Sequence, residues 1–276
     1  MKKNNHIQVS TFEEIFDIVE EIFEELNEEP SEEISVLMVK DCGMNLEYIT
    51  NQTEEICKIA INDDPDSLQF VKNQTEELCL LAVSLNGMCL QFIKKQTSEI
   101  CKTAIEEDPD AIQYVQIQTE ELCELSIKTS GENLRYVRPQ FKTEYLCLEA
   151  VKSNVFALEF VPKQTDEMCR IALSRRGKTI KYIRDINYEY CLLAVKEDGT
   201  AIKYIPSNYH TTELYLEAVK SNPYSLENIS EQTEEICSQA VSLKGMSLQF
   251  VKQQTKEICL LAFNQNNDSK QYIKIR

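Results

Sequence analysis

Nine of the eleven cysteines in this chain recur at an almost constant spacing. The steps between them are 22, 22, 22, 24, 22, 22, 46 and 22 residues, and the step of 46 divides into 24 and 22 at Tyr215. The nine are Cys57, Cys79, Cys101, Cys123, Cys147, Cys169, Cys191, Cys237 and Cys259. A fixed period of this length is the signature of a protein built by stacking copies of one small unit. The spacing therefore constrains the architecture before any residue is considered for chemistry.

The copy at residues 53–74, TEEICKIAINDDPDSLQFVKNQ, shows that each unit has two halves. The first half has the periodicity of an amphipathic helix, with Thr53 as a suitable N-cap. Its apolar face consists of Ile56, Cys57, Ala60 and Ile61. The second half follows an Asp-Pro or Asn-Gly turn and predicts a short second helix, because Leu68 and Val71 are three residues apart. A short strand, as in leucine-rich repeats, is the alternative for this second half.

The unit recurs eleven times between Ser35 and Cys259, and the last copy is expected to be truncated or to serve as a cap. We therefore predict an all-α fold for residues 31–276, an α-solenoid of about eleven two-helix repeats of 22–24 residues with an N-terminal capping helix. Stacking supplies the burial that helices of this length lack on their own.

Residues 1–30 are predicted to form a separate acidic N-terminal amphipathic helix and linker. Thr11 and Glu14 have the spacing of a capping box, and an apolar stripe of helical period follows them. The segment is expected to cover the open end of the array. The alternative is that residues 11–27 form a helix for self-association or for a partner.

The aligned cysteines are predicted to be reduced and buried. Stacked helices lie roughly 8–10 Å apart, whereas a disulfide requires Cα atoms within about 4.4–6.8 Å. A column spaced by whole repeats also cannot converge on zinc, and the chain has no Cys-x-x-Cys pair. Reduced thiols are typical of an intracellular protein. Cys42 and Cys89 lie outside the column and are expected to be the more exposed thiols.

A glutamine recurs just before most of the helix N-caps. The set is Gln52, Gln74, Gln96, Gln118, Gln164, Gln232 and Gln254. We predict that these side chains form hydrogen bonds between repeats. A polar recognition surface is the alternative.

The formal net charge of −17 is concentrated at the N-terminus. Within residues 1–33, two lysines against eleven acidic residues give −9. This balance disfavours general binding to nucleic acid or to an anionic membrane. No apolar run approaches the ~20 residues of a membrane helix, and the start of the chain lacks a signal-peptide pattern.

A basic island at residues 168–184 contrasts with that charge, since it has six cations and no acid. Its cations are Arg170, Arg175, Arg176, Lys178, Lys181 and Arg184. Arg135 and Arg138 occupy the columns of Lys181 and Arg184 two repeats earlier, and Lys203 occupies the Lys181 column one repeat later. We predict a docking site for an acidic peptide or a phosphate-rich ligand, with the acidic segment 11–33 as an internal candidate. The alternative is a solvated face neutralised by nearby glutamates.

Three segments show a family resemblance. They are CLEAVKSNVFALEFVP at 147–162, CLLAVKEDGTAIKYIP at 191–206 and YLEAVKSNPYSLENI at 215–229. They resemble an uncharacterised helical-repeat family, a domain of unknown function abundant in giant DNA viruses of the mimivirus type. The resemblance covers residues 31 to 276 and brings no catalytic residue or cofactor with it. It implies a viral origin, an interaction role, and a location in the host cytoplasm or the viral factory.

The function we predict is that of a non-enzymatic protein-interaction scaffold without a cofactor. The chain has two histidines, of which His210 falls in an irregular segment between repeats and is expected to be a surface loop residue. It has no phosphate-binding glycine loop and no histidine-based metal motif. Two alternatives remain: a nucleic-acid-binding helical repeat that uses the island 168–184, and an acidic mimic of nucleic acid.

Overall fold

The structure, a computed structural model, describes residues 31–274 of the chain. These residues are helical wherever they are regular, and they contain no β-strand. The second half of each unit is therefore a helix, and the strand alternative is wrong. The predictions for residues 1–30, including the capping helix and self-association through 11–27, concern residues outside the described part of the chain.

Eleven repeats follow one another, each with an α-helix of ten residues and a shorter 3₁₀ helix. The α-helices are α1 Glu32–Asp41, α2 Glu54–Asp63, α3 Glu76–Leu85, α4 Ser98–Glu107, α5 Glu120–Thr129, α6 Glu144–Ser153, α7 Asp166–Arg175, α8 Tyr188–Glu197, α9 Thr212–Ser221, α10 Glu234–Leu243 and α11 Lys256–Gln265. The 3₁₀ helices are η1 Gly43–Tyr48, η2 Pro65–Phe70, η3 Gly87–Phe92, η4 Pro109–Tyr114, η5 Gly131–Arg135, η6 Pro139–Phe141, η7 Val155–Phe160, η8 Gly177–Tyr182, η9 Gly199–Tyr204, η10 Ser207–Tyr209, η11 Pro223–Asn228, η12 Gly245–Phe250 and η13 Asn267–Tyr272. The single-turn helices η6 and η10 hold the extra residues of the two longer repeats.

The described part of the chain divides into two compact units, the first ending at Ile117 and the second beginning at Gln118. Within each unit, every α-helix packs on the next α-helix and on the 3₁₀ helices of its own and the preceding repeat. The 3₁₀ helices also pack on one another, so that each unit has an α layer and a 3₁₀ layer. The predicted fold class, an all-α repeat array of the α-solenoid type, is confirmed for each unit.

Each α-helix begins in the same way. In α2 the hydroxyl of Thr53 accepts from the Ile56 N–H at 3.4 Å, which satisfies one of the free N–H groups of the first turn. Each of the other ten α-helices of residues 31–274 has an equivalent cap, from threonine, serine or asparagine. The Thr positions noted in the sequence are therefore the helix starts.

The second helix of each repeat is a 3₁₀ helix, which the i, i+3 spacing alone does not distinguish from an α-helix. In η2 the carboxylate of Asp64 accepts from the Asp66 N–H at 3.0 Å, and Val71 returns to an extended backbone. Only six residues lie between these ends. Isolated 3₁₀ runs of this length are uncommon, and burial of Leu68 to 0% exposure stabilises this one.

The two layers approach each other closely. Ala60 is completely buried, and a Cβ added at Gly43 would lie 2.4 Å from the Ala60 carbonyl oxygen of the next repeat. At Gly43 the backbone of the two helices therefore lies too close for a Cβ without a local shift, whereas η7 accommodates Val155 at the equivalent place. The close approach agrees with the small alanine and cysteine columns of the sequence.

Ten of the eleven cysteines are buried, and all eleven are free thiols. Cys42 is exposed, as predicted. The same prediction is wrong for Cys89, which is 0% exposed. Cys89 lies in a third inward-facing column, on the 3₁₀ helices, together with the buried Ser67 and Ala111.

The last repeat contains both α11 and η13, so the expectation of a truncated copy is wrong. No helix within residues 31–274 has the length and apolar character required to cross a membrane.

Candidate functional site

The recurring glutamines form bridges between repeats. The amide nitrogen of Gln74 donates to the Phe92 carbonyl of the next 3₁₀ helix at 2.9 Å, and also to the Leu68 carbonyl of its own repeat at 3.3 Å. Its amide oxygen accepts from the Lys94 N–H at 3.1 Å. The two bonds to the next repeat recur, at 2.7–3.1 Å, in all seven glutamines. The prediction of inter-repeat hydrogen bonds is confirmed, and we call this arrangement the glutamine bridge.

Two repeats replace the glutamine by a residue that has no acceptor atom, Lys142 or Ile186. In both cases the residue twenty positions later is a proline, Pro162 or Pro206, and proline has no N–H to donate. The seven glutamines each have a residue with an N–H at that position. Lys142 keeps the donor half of the bridge, because its Nζ lies 3.3 Å from the carbonyl oxygen of Phe160. In both repeats, therefore, the side-chain acceptor and the main-chain N–H that would donate to it are absent together.

The third departure is His210, which is half-buried and not a free surface residue. Its Nε2 lies 3.0 Å from the Ile205 carbonyl oxygen and its Nδ1 lies 3.0 Å from the hydroxyl of Tyr215. Since a carbonyl only accepts, the contact with Ile205 is made by a protonated Nε2. Tyr215 takes the place of the column cysteine, and His210 takes the place of the glutamine five residues earlier.

The column thiols lie beside the bridges and are unreactive by position. Burial raises the pKa of Cys123, Cys147 and Cys191 to about 11. Burial, with a hydrogen bond to the Asp66 carboxylate at 3.3 Å, raises the pKa of Cys89 well above its usual range. A nucleophilic cysteine requires the opposite shift. Residues 31–274 hold no group of three or more His, Cys, Asp or Glu side chains placed to bind a metal ion.

Three of the nine predicted cations form salt bridges. Arg170 donates to both oxygens of Glu189 at 2.8 Å and to Asp166 at 2.7 Å. Arg135 pairs with Glu132 at 3.2 Å, and Lys178 pairs with Asp198 at 3.0 Å. At these three positions the alternative interpretation, a solvated face neutralised by nearby acidic residues, describes the structure better.

Two more cations donate to main-chain carbonyls, and a third contributes its backbone N–H to a glutamine bridge. The guanidinium of Arg175 donates to the Lys152 carbonyl, and that of Arg184 donates to the Pro162 carbonyl. The N–H of Arg138 donates to Gln118 as part of a glutamine bridge. The first two guanidinium groups bind the preceding repeat.

The remaining three cations, Arg176, Lys181 and Lys203, lie against aromatic rings on the 3₁₀ layer of repeats 6 to 8. The guanidinium carbon of Arg176 is 5.7 Å from the ring centre of Phe156. Lys181 Nζ is 4.5 Å from the ring centre of Tyr182 and 5.8 Å from that of Tyr204, and Lys203 Nζ is 4.8 Å from that of Tyr204. None of the three makes a salt bridge with a carboxylate of residues 31–274.

We call these three cations and three rings the cation–aromatic row. The cations are exposed. The contact with Tyr182 raises the pKa of Lys181, so its ammonium is charged at neutral pH. The row is the part of the predicted island that remains available to a ligand.

The sequence did not single out the rings of the row. Two of them, Tyr182 and Tyr204, occupy the position of Phe70 in the copy at residues 53–74, whereas Phe156 occupies that of Asp66. A signal was present, because the aromatic falls between Leu68 and Val71, which share the buried face. A side chain at the position between them must point away from the buried face. Tyr182 and Tyr204 are indeed only half-buried, and Phe156 is 37% exposed.

A protein-family model described as a domain of unknown function, DUF4116, matches residues 75–118 and 187–232. Each matched segment spans two consecutive repeats, 3 and 4 in the first unit and 8 and 9 in the second. No curated protein and no solved structure matches the chain. The chain is thus similar, over these four repeats, to a repeat family without an assigned activity.

Proposed function

We propose that the chain is a non-enzymatic protein-interaction scaffold that binds a partner along the 3₁₀ layer of its second unit. The observation that carries the proposal is how the polar side chains are used. The polar groups that recur, the N-cap threonines and the bridging glutamines, are committed to helix starts and repeat–repeat bonds. On the 3₁₀ layer we therefore assign partner binding to positions that differ between repeats.

One exposed position of the 3₁₀ helix shows this difference directly. In repeats 2 to 4 it is Gln69, Gln91 and Gln113, and each amide donates to a carbonyl of its own helix. In repeats 5 to 9 it becomes Arg135, Glu159, Lys181, Lys203 and Glu227. Repeats 10 and 11 have Gln249 and Gln271 there again, and repeat 1 has Glu47. Repeats 5 to 9 therefore differ from their neighbours by a run of charged residues at this position.

An enzyme is a weaker interpretation of the same residues. The raised pKa of the buried thiols keeps them protonated near neutral pH, and a protonated thiol is a poor nucleophile. His210 already has a partner at each ring nitrogen. These observations support a binding role.

The test is site-specific photo-crosslinking in a cell extract. A photo-crosslinking amino acid placed at Lys203 is expected to capture a discrete protein. The same amino acid at Gln91, the equivalent position of repeat 3, serves as the matched control and is expected to capture none. Equal labelling from both positions, or capture of nucleic acid alone from Lys203, would refute the proposal.

Two further parts of the proposal rest on the family resemblance and on the reduced thiols. They are a viral origin and a place of action in the host cytoplasm or the viral factory. The acidic-mimic alternative concerns residues 1–30. Deletion of those residues without loss of the captured partner removes it.

A further inference from the structure

We infer that the last described repeat docks the acidic segment 12–26 of a second copy of this chain. The site is the face of α11 and η13 at which the other described repeats are covered by the repeat that follows them, and we call it the end face. It comprises Leu260, Leu261, Phe263, Lys270 and Ile273. The inference goes beyond the proposed function, because it concerns another surface and another partner.

The end face exposes apolar side chains at positions that are buried in the rest of the array. Phe263 is 39% exposed, whereas its equivalent in each of the ten other described repeats is at most 1% exposed. Ile273 is 38% exposed, whereas its equivalents are at most 6% exposed. Leu260 and Leu261 are exposed, although the same Cys-Leu-Leu-Ala sequence in repeats 3 and 8 leaves both leucines half-buried. α11 is the last α-helix of residues 31–274, so no described helix covers this face.

A lysine lies on the same face. Lys270 occupies the column of Leu68, whose members are leucine or isoleucine in the ten other described repeats and are all 0% exposed. The ammonium of Lys270 makes no salt bridge with a carboxylate of residues 31–274. A repeat stacked in the ordinary way would bury this position, and a buried ammonium without an anionic partner is costly. The end face therefore fits a ligand that presents apolar and acidic side chains together.

The segment at residues 12–26 has this composition. Its sequence predicts an amphipathic helix, because seven apolar residues recur at helical spacing and the segment also holds seven acidic residues and no cation. The apolar residues of the stripe are Phe12, Ile15, Phe16, Val19, Ile22, Phe23 and Leu26. Such a helix can cover the four apolar side chains of the end face and bring a carboxylate to Lys270.

Charge and tether length assign the segment to a second copy. Residues 31–50, which form the first described repeat, hold four carboxylates and one lysine, a net charge of −3, so like charge opposes docking of the segment on α1. Residues 27–30 hold the segment within about 18 Å of α1, and α11 is the last of the eleven described α-helices. Contact between two end faces is also disfavoured, because it would bring two Lys270 side chains into one interface.

The experiment is site-specific photo-crosslinking in a mixture of unlabelled and isotopically heavy full chain. A photo-crosslinking amino acid replaces Leu260, and only a contact between two copies gives crosslinked peptide pairs of mixed isotope composition. We expect mixed pairs that join position 260 to residues 12–26. The same amino acid in place of Lys102, the exposed equivalent position of repeat 4, is the matched control and is expected to give none.

Four results would overturn the inference. They are the absence of crosslinks to residues 12–26, crosslinks to that segment within one copy only, mixed pairs that join position 260 to α1 or α11 instead, and equal yields from both positions.

A charge reversal tests the part of Lys270. Lys270→Glu is expected to lower the yield of mixed pairs about fivefold, because an attraction becomes a repulsion. Lys102→Glu makes the same change in repeat 4 and is expected to alter the yield less than twofold. Both lysines are exposed, and circular dichroism verifies that the variants fold. An undiminished yield from Lys270→Glu would overturn the acidic ligand.

Discussion

Replacing Gln74 by isoleucine removes one glutamine bridge and copies the natural Ile186. The change deletes the donor to the Phe92 carbonyl and the acceptor for the Lys94 N–H. The Leu68 carbonyl keeps the Val71 N–H at 3.1 Å. A hydrogen bond contributes about 0.5–1.5 kcal/mol, and a buried group left unpaired costs about 1–3 kcal/mol. We therefore expect a loss of about 2–3 kcal/mol in the free energy of unfolding, measured by urea denaturation followed by circular dichroism.

The natural pairing of Ile186 with Pro206 supplies a double-mutant cycle. Lys94→Pro alone removes the N–H and leaves the Gln74 amide oxygen unpaired, which is expected to cost about 1–2 kcal/mol. In the Gln74→Ile background that bond is already absent. The double variant should therefore be more stable than the sum of the single changes indicates, by about 1 kcal/mol.

The control for this cycle is Gln91→Ile in the next repeat. The Gln91 amide donates only to the Met88 carbonyl of its own 3₁₀ helix, at 3.2 Å. We expect its replacement to cost less than about 0.5 kcal/mol. Strict additivity in the cycle, or an equal cost for Gln91 and Gln74, would refute the bridging role.

Three other predictions follow from packing and from the thiols. Gly43→Ala places a Cβ 2.4 Å from the Ala60 carbonyl oxygen, so thermal melts should show a loss of about 1–3 kcal/mol; an unchanged melting temperature would contradict the close approach. Labelling with a thiol reagent at neutral pH should modify only Cys42 in the native chain and all eleven cysteines in urea, and rapid native labelling of Cys89 would contradict its burial. Burial raises the pKa of Cys123, Cys147 and Cys191 to about 11 from 9.0, so between about pH 9 and 11 the unfolded state binds fewer protons than the folded state. The free energy of unfolding should fall with rising pH in that window, by up to about 1.4 kcal/mol per thiol per pH unit, and a flat profile would contradict the buried, neutral thiols.

The repeat period and the helix starts could be predicted from the sequence because both recur along the chain. The cysteine spacing gives the period, and the threonine before each acidic pair gives the helix start. The glutamine bridge could also be predicted, since a polar side chain that recurs beside a packing column requires a recurring partner.

The 3₁₀ geometry and the burial of Cys89 could not be predicted from the sequence. An i, i+3 pair such as Leu68 and Val71 fits either helix type. Cys89 lies off the main cysteine column but on the inward-facing column of the 3₁₀ helices, whose buried members are serine, cysteine, alanine, asparagine or threonine. Because the residue type varies along this column, the sequence pattern does not identify it as buried.

The composition of the candidate site was only partly predictable. Charge counting found the island, but the pairing of Arg170 with Glu189 joins residues nineteen apart on two helices and depends on the stacking geometry. The cations that remain available to a ligand are selected by such pairings, so they emerge only from the structure.

The most direct test of the scaffold proposal is amine footprinting of the full chain, by acetylation and mass spectrometry, with and without the protein captured by photo-crosslinking at Lys203. Lys181 and Lys203 occupy a position that varies between repeats. Lys72 and Lys252 occupy a recurring position, where each ammonium donates to a main-chain carbonyl of the preceding repeat. We expect the captured protein to protect Lys181 and Lys203 and to leave Lys72 and Lys252 unchanged. Protection of Lys72 and Lys252 instead, or equal protection of all four, would contradict a ligand bound at the positions that vary.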